Sequence, residues 1–229
     1  MFSLMKREFI EFYKREPTAV ALNIVILVFI FATMFPVFNQ FSEPLFRKFL
    51  AIVFPISVII LCSGFHSMRQ FYKDRLEGRF EVFLGLGKTP FEIWFSKSLV
   101  LGIMLICMYL IGILLSSAFV LVNNKSIFLF TWTPNEIFIF LFLSPLTGIF
   151  ITSFQGFILM VTNKIEVVRF VSFFVFLGIF FVLGKAKSLV SFFNIKMSLV
   201  VACMIIVMLF CFFVPYAVLK RSKKDIFLS

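Results

Sequence analysis

Residues Lys73 to Lys97 read KDRLEGRFEVFLGLGKTPFEIWFSK, and the organisation of the whole chain follows from how this stretch is read. It is densely charged, yet it lies between two long apolar runs. From Leu76 to Leu86 the apolar residues Leu76, Phe80, Phe83 and Leu84 recur at spacings of three and four, with Glu77, Arg79 and Glu81 between them. That is the pattern of a short amphipathic helix, expected to present an apolar face in need of a partner. Gly85 and Gly87 supply its stop. Thr89-Pro90-Phe91-Glu92 then starts a new helix, with Thr89 as N-cap, Pro90 at the first helical position and Glu92 closing a capping box. The expectation is a helix lying across a membrane surface between two spanning helices.

Composition supports that placement. The chain of 229 residues is 62% hydrophobic and 14% charged, against about 45–50% apolar and 25% charged in soluble domains. Its apolar runs reach the roughly 20 residues needed to cross a bilayer. In a soluble chain the net charge of +11 would suggest nucleic acid; here it fits basic loops that orient a membrane protein. Cys62, Cys107, Cys203 and Cys211 all fall inside apolar runs without metal-ligand spacing, and read as small core residues. The 38 phenylalanines occur in every segment, which favours lipid-facing positions over an aromatic-lined conduit.

The expected architecture is an all-α integral membrane protein in a single domain, with six transmembrane helices. In residues 2–16, Phe2, Met5, Phe9, Phe12 and Tyr13 share one face, and Lys6, Arg7, Glu8, Glu11, Lys14 and Arg15 occupy the rest. This is an interfacial helix lying on the membrane. It is not a signal peptide, because charges of both signs precede the first apolar run and no small-residue cleavage site follows it. The spans are expected at about 18–38, 49–68, 98–122, 135–161, 170–183 and 197–219. Pro55 distorts the second. The fifth is short, and 185–196 reads as a re-entrant element. Both termini then share a side with the 73–97 stretch. That side carries sixteen Lys and Arg against six on the other, which places it in the cytoplasm.

No Asp, Glu, Lys or Arg is expected in the middle of any span, which weighs against an ion-coupled transporter. His66 stands alone. The chain has no metal-ligand cluster, no nucleophile with a paired base and no phosphate-binding loop of the G-x-x-x-x-G-K-[ST] type, so it is not expected to be an enzyme and carries no cofactor of its own. Ser144, Gly148, Thr152 and Gly156 recur every four residues, a small-residue row for close helix packing, with Ser153 and Gln155 beside it. Asn23, Tyr109, Ser116 and Ser117 are weaker candidates for a translocation path.

Glu77-Gly78-Arg79-Phe80-Glu81-Val82-Phe83-Leu84, followed by Glu92-Ile93 and Lys97, resembles the motif of the ABC type-2 permease family. That family typically has an acidic residue, Gly and Glu-x-Leu-Leu after the second span, then Glu-Ile-x-x-x-Lys entering the third. The chain departs from it in having Leu86-Gly87 in the turn, with its Thr-Pro pair three residues later. The resemblance covers the whole chain in topology and about 25 residues in motif. It implies the membrane subunit of an exporter, with the helix over Leu76–Leu86 as a coupling helix on a separate cytoplasmic ATPase that binds ATP and Mg. Glu77, Gly78, Phe80, Glu81, Phe83 and Leu84 would make that contact, the three apolar residues seated in the ATPase groove and the two glutamates at its rim. Further implied partners are a second copy or sister permease and membrane lipid, without nucleic acid. Cargo stays open among amphipathic peptides, lipids or lipid-linked glycans, and hydrophobic drugs. The alternative is a scaffold or immunity factor that binds a cytoplasmic partner. The Lys- and Phe-rich composition suggests an AT-rich prokaryote, hence a prokaryotic plasma membrane.

Overall fold

A computed structural model describes residues 5–10, 21, 24–25, 27–30, 32, 52–60, 62, 71–122, 133–162 and 197–221. These residues are helical apart from short turns, with no strand among them. The named elements are α1 (Lys73–Leu76), α2 (Arg79–Gly85), α3 (Pro90–Val122), α4 (Pro134–Phe138), a π-helical turn (Ile139–Leu143), α5 (Ser144–Thr162) and α6 (Met197–Arg221). Three helical runs are long and apolar enough to cross a membrane: Pro90–Phe119, Pro134–Thr162 and Val201–Arg221. They mark the chain as a membrane protein and correspond to the third, fourth and sixth expected spans. Residues 52–60 are helical within the second expected span, and residues 5–10 within the interfacial helix. The fifth span, the re-entrant element, Asn23 and His66 lie outside the described residues.

The expected single helix over Leu76–Leu86 is two helices. Gly78 breaks it with φ +66°, in the left-handed region, and its carbonyl accepts from the Val82 N–H at 3.2 Å to start α2. The stop follows the glycine logic closely. Gly87, at φ +79°, donates its N–H to the Leu84 carbonyl, and the next residue, Lys88, donates to the Phe83 carbonyl, each at 3.1 Å. This is the paired 5→2 and 6→1 closure of a Schellman motif, which gives two terminal carbonyls their donors.

The start of α3 is also as expected. Thr89 N–H donates to Glu92 Oε2 at 3.0 Å, and Glu92 N–H donates to Thr89 Oγ1 at 3.2 Å. The helix therefore begins at Pro90, eight residues before the expected span at 98. Its 33 residues extend about 50 Å, well beyond the roughly 30 Å of hydrocarbon. The excess length lets the first turns project past the hydrocarbon, and those turns carry Lys97.

A second capping box, not anticipated, starts α4: Glu136 N–H donates to Thr133 Oγ1 at 3.4 Å and Thr133 N–H donates to Glu136 Oε2 at 2.9 Å. Pro145 explains the π-turn that follows. It has no N–H to give, so the regular ladder cannot continue through it. The Ser144 N–H instead donates to the Ile139 carbonyl, five residues back. The helix widens there and resumes as α5.

Helix α5 is the centre of the assembly, packed against both α3 and α6. Its small-residue row does what the spacing suggested. Ser144, Gly148, Thr152 and Gly156 are all buried. A Cβ at Gly148 would fall 2.9 Å from the Ile59 side chain, and one at Gly156 would fall 2.6 Å from the Phe71 ring. Gly148 lets the second-span segment, and Gly156 the Phe71 ring beyond that span, approach α5 closely, and the row is a packing seam. Gln155 is buried beside it. Among the cysteines, Cys62 and Cys211 are buried as expected, but Cys107 and Cys203 face outward; all four are free thiols.

Candidate functional site

Inside the α1–α2 corner lies a lysine that sequence reading treated only as a motif match. Lys97, on the third turn of α3, is 1% exposed. Its ammonium bonds to Glu8 Oε2 at 2.7 Å and to Asp74 Oδ2. Asp74 is shared, with Arg79 Nη1 3.4 Å from its other oxygen, and Arg79 Nε reaches Glu77 Oε2 at 2.8 Å. One cation thus ties together three elements: the 5–10 helix through Glu8, α1 through Asp74, and α3 itself. Burying an ammonium is costly unless carboxylates surround it, and Glu8 and Asp74 are themselves buried.

The rings of α2 complete the enclosure. Lys97 Nζ is 5.9 Å from the ring centres of both Phe80 and Phe83, and the Arg7 guanidinium is 5.4 Å from Phe83. Cations over ring faces at this distance are held by the aromatic quadrupole, more strongly where water is excluded.

This geometry corrects two expectations. Phe80, Phe83 and Leu84 do not form an outward apolar face awaiting a partner; they are buried within this chain at 5%, 4% and 4% exposure. The amphipathic stripe is covered by the chain's own lysine and by the residues of its core. Glu8 likewise leaves the solvent face of the interfacial helix and points into the protein. The outward side of the corner carries a different set: Glu77, Glu81, Gly85, and the exposed apolar residues Leu76 (68%), Val82 (58%) and Leu86 (68%). Gly78 sits between the two sets at the backbone turn, where a Cβ would meet Glu81 Oε2 at 3.3 Å.

Of the candidates within the spans, Tyr109, Ser116 and Thr152 spend their hydroxyls on carbonyls of this chain. The Tyr109 hydroxyl donates to the Phe140 carbonyl at 2.9 Å. Ser144 has given its N–H to Ile139 and Pro145 has none, so the tyrosine supplies a donor that the π-turn withholds. Ser116 Oγ bonds to the Gly112 carbonyl at 2.5 Å and to the Val28 carbonyl of the first-span segment at 3.2 Å. Thr152 Oγ1 folds back on the Gly148 carbonyl at 2.9 Å. Trp94, overlooked in the sequence, is 2% exposed and joins α3 to α5 by donating Nε1–H to the Ser153 carbonyl at 2.9 Å. Its signal was an indole one turn inside a capped helix start, in a span that otherwise has few polar atoms.

Among the described residues no group of His, Cys, Asp or Glu is placed to hold a metal ion. The arrangement has two sides: an outward face of glutamates and apolar side chains, and a buried charge clamp to a long membrane helix. The chain matches no family model, no curated protein and no solved structure.

Proposed function

We propose that the chain is the membrane-spanning permease subunit of an ATP-driven exporter of the ABC type-2 kind, coupled through the α1–α2 corner to a separate ATPase subunit. The observation that carries this reading is the two-sided corner. Its inner face is locked to α3 through Lys97, and its outer face offers Leu76, Val82 and Leu86 at 58–68% exposure beside two glutamates. Each apolar side chain contributes about 1.5–3 kcal/mol when fully buried, and Glu77 and Glu81 suit a basic rim on the partner. The excess of Lys and Arg on this side of the chain puts the corner in the cytoplasm, where an ATPase is available.

In this reading six spans from each of two permeases form the path, and two ATPases bind ATP and Mg and push the corners as they close. This chain hydrolyses nothing itself. Its spans suit amphipathic or lipid-like cargo: peptide, lipid, lipid-linked glycan or hydrophobic drug. The motif over Glu77–Lys97 supports the family; the docking residues differ from those the motif alone suggested, because Phe80, Phe83 and Leu84 face inward.

The test is purification of the tagged chain from its host in mild detergent, with mass spectrometry of what accompanies it. A near-equimolar subunit bearing a phosphate-binding loop, retained by the native chain and lost with Val82→Asp or Leu86→Asp, is the expected result. Both residues lie on the exposed face, so folding should be kept. A chain that purifies alone, or with a partner lacking nucleotide-binding motifs, overturns the proposal and favours a scaffold or immunity role.

A further inference from the structure

We propose that the cleft between α3, α5 and α6 is a binding site for an anionic phospholipid, with an acyl chain in the cleft and the phosphate on Lys220. The cleft encloses about 260 Å³, and Trp94, Phe95, Gly102, Ile149 and Phe212 form much of its wall. Ser98 also lines it. The Ser98 Oγ is buried and has no hydrogen-bond partner among the described residues. Other helical hydroxyls here fold back onto the carbonyl four residues earlier, as do Ser57, Ser96, Ser116, Thr147 and Thr152. Ser98 does not, and a buried donor of this kind calls for an acceptor. A lipid ester carbonyl is one.

An aromatic wall leads from the cleft to a cation. Phe212, Tyr216 and Lys220 follow one another at intervals of four along α6, a climb of about 12 Å. The Tyr216 ring stacks on Phe212 with centroids 6.4 Å apart and meets Phe91 edge-on at 5.1 Å. Lys220 Nζ donates to the Tyr216 hydroxyl at 2.8 Å and lies 5.1 Å from its ring. Lys220 is exposed, makes no ion pair among the described residues, and is followed by Arg221. An apolar slot, a buried donor and an uncompensated cation therefore lie in the order in which a phospholipid carries its chain, ester and phosphate. Basic sites between membrane helices hold anionic headgroups in this way. Its lining is apolar apart from Ser98 and Ser153, which suits an acyl chain.

The inference depends on membrane insertion and not on the exporter reading. The full chain is purified in detergent and titrated with phosphatidylglycerol or phosphatidylcholine, and bound lipid is counted by native mass spectrometry. Phosphatidylglycerol should be retained about fivefold or more over phosphatidylcholine, the effect of one cation near an anionic headgroup. Lys220→Gln should remove that preference. Ile103→Trp, at a cleft residue that is 46% exposed, should fill the slot and reduce retention of both lipids. Equal retention of the two lipids by the native chain overturns the proposal. So does a preference unchanged in Lys220→Gln, or bound lipid displaced by millimolar inorganic phosphate, which would show a phosphate site alone. If Ile103→Trp alters the oligomeric state without altering lipid retention, the cleft is a protein interface and the proposal fails. Should that variant not fold, the Lys220→Gln comparison decides alone.

Discussion

Replacing Lys97 by methionine should be among the most damaging single changes in the chain, and its rescue should be specific. The side chain is fully buried, its ammonium is within bonding distance of Glu8 and Asp74, and two phenylalanine rings close the remaining approach. Methionine matches the length and apolar character of the lysine stem, so packing is largely kept. What is lost is the charge, leaving two buried carboxylates facing each other. Removing one partner of a buried ion pair costs about 3–5 kcal/mol, or two to three and a half powers of ten in the folded ratio. Arg79 still touches Asp74 at 3.4 Å, which places the expected loss toward the lower end. The triple variant Lys97→Met, Asp74→Asn, Glu8→Gln removes all three charges together and should recover most of that loss. The assay is reversible denaturation in detergent, with proteolysis near residue 73 as a local readout of the corner. A single variant that loses less than about 1 kcal/mol, or a triple variant no more stable than the single, refutes the clamp.

Three further outcomes follow from local geometry. Gly87→Ala should cost about 1–2 kcal/mol, because φ is +79° there and a Cβ is disfavoured in the left-handed region; Gly85→Ala, with open space around its Cβ position, should be neutral or stabilising by up to about 1 kcal/mol, and denaturation midpoints that rank the two the other way contradict the stop assignment. Gly156→Ala should cost about 1–3 kcal/mol by overpacking, since the added carbon would lie 2.6 Å from Phe71; a double variant with Phe71→Leu should be less damaged than the sum, measured by a double-mutant cycle. Tyr109→Phe should cost about 1–3 kcal/mol by withdrawing a donor from the buried Phe140 carbonyl, whereas Ser117→Ala should change the same melting curve by less than about 0.5 kcal/mol.

What was legible in the sequence was what neighbours decide. Thr89 and Glu92 are three residues apart and cap each other without help from the rest of the fold. Gly87 ends α2 because of its own φ. The three apolar runs now seen as long helices, and the four-residue row on α5, needed only periodicity. What was not legible depends on residues far along the chain. Lys97 meets partners 23 and 89 positions away, and nothing within a helical turn announces them. The inward turn of Phe80, Phe83 and Leu84 was unreadable for a related reason: an apolar stripe shows that something covers it, but not whether the cover is the same chain or another. Tyr109 looked like a polar outlier in a span, and became a structural donor only once Pro145 had displaced a hydrogen-bond ladder 31 residues from it.

The position of the clamp also bears on how a push at the corner would travel. Helix α2 is only seven residues long and is flanked by two glycines at positive φ, so its backbone connections alone would let it swing. Its orientation is set by side chains: Phe80 and Phe83 over Lys97, and the carboxylates of α1 and the 5–10 helix on the same ammonium. A load on Leu76, Val82 or Leu86 therefore reaches α3 through contacts that are buried and expensive to break. Because α3 continues in one helix for 33 residues, with Trp94 pinned to α5 about one turn from its start, a displacement of the corner in the proposed coupling would be passed to α3 and α5 together. Substitutions on the outer face should thus weaken binding of the proposed ATPase while stability is kept, and substitutions at Lys97 should impair stability first. That separation is what a joint built from two opposed faces of one short helix requires.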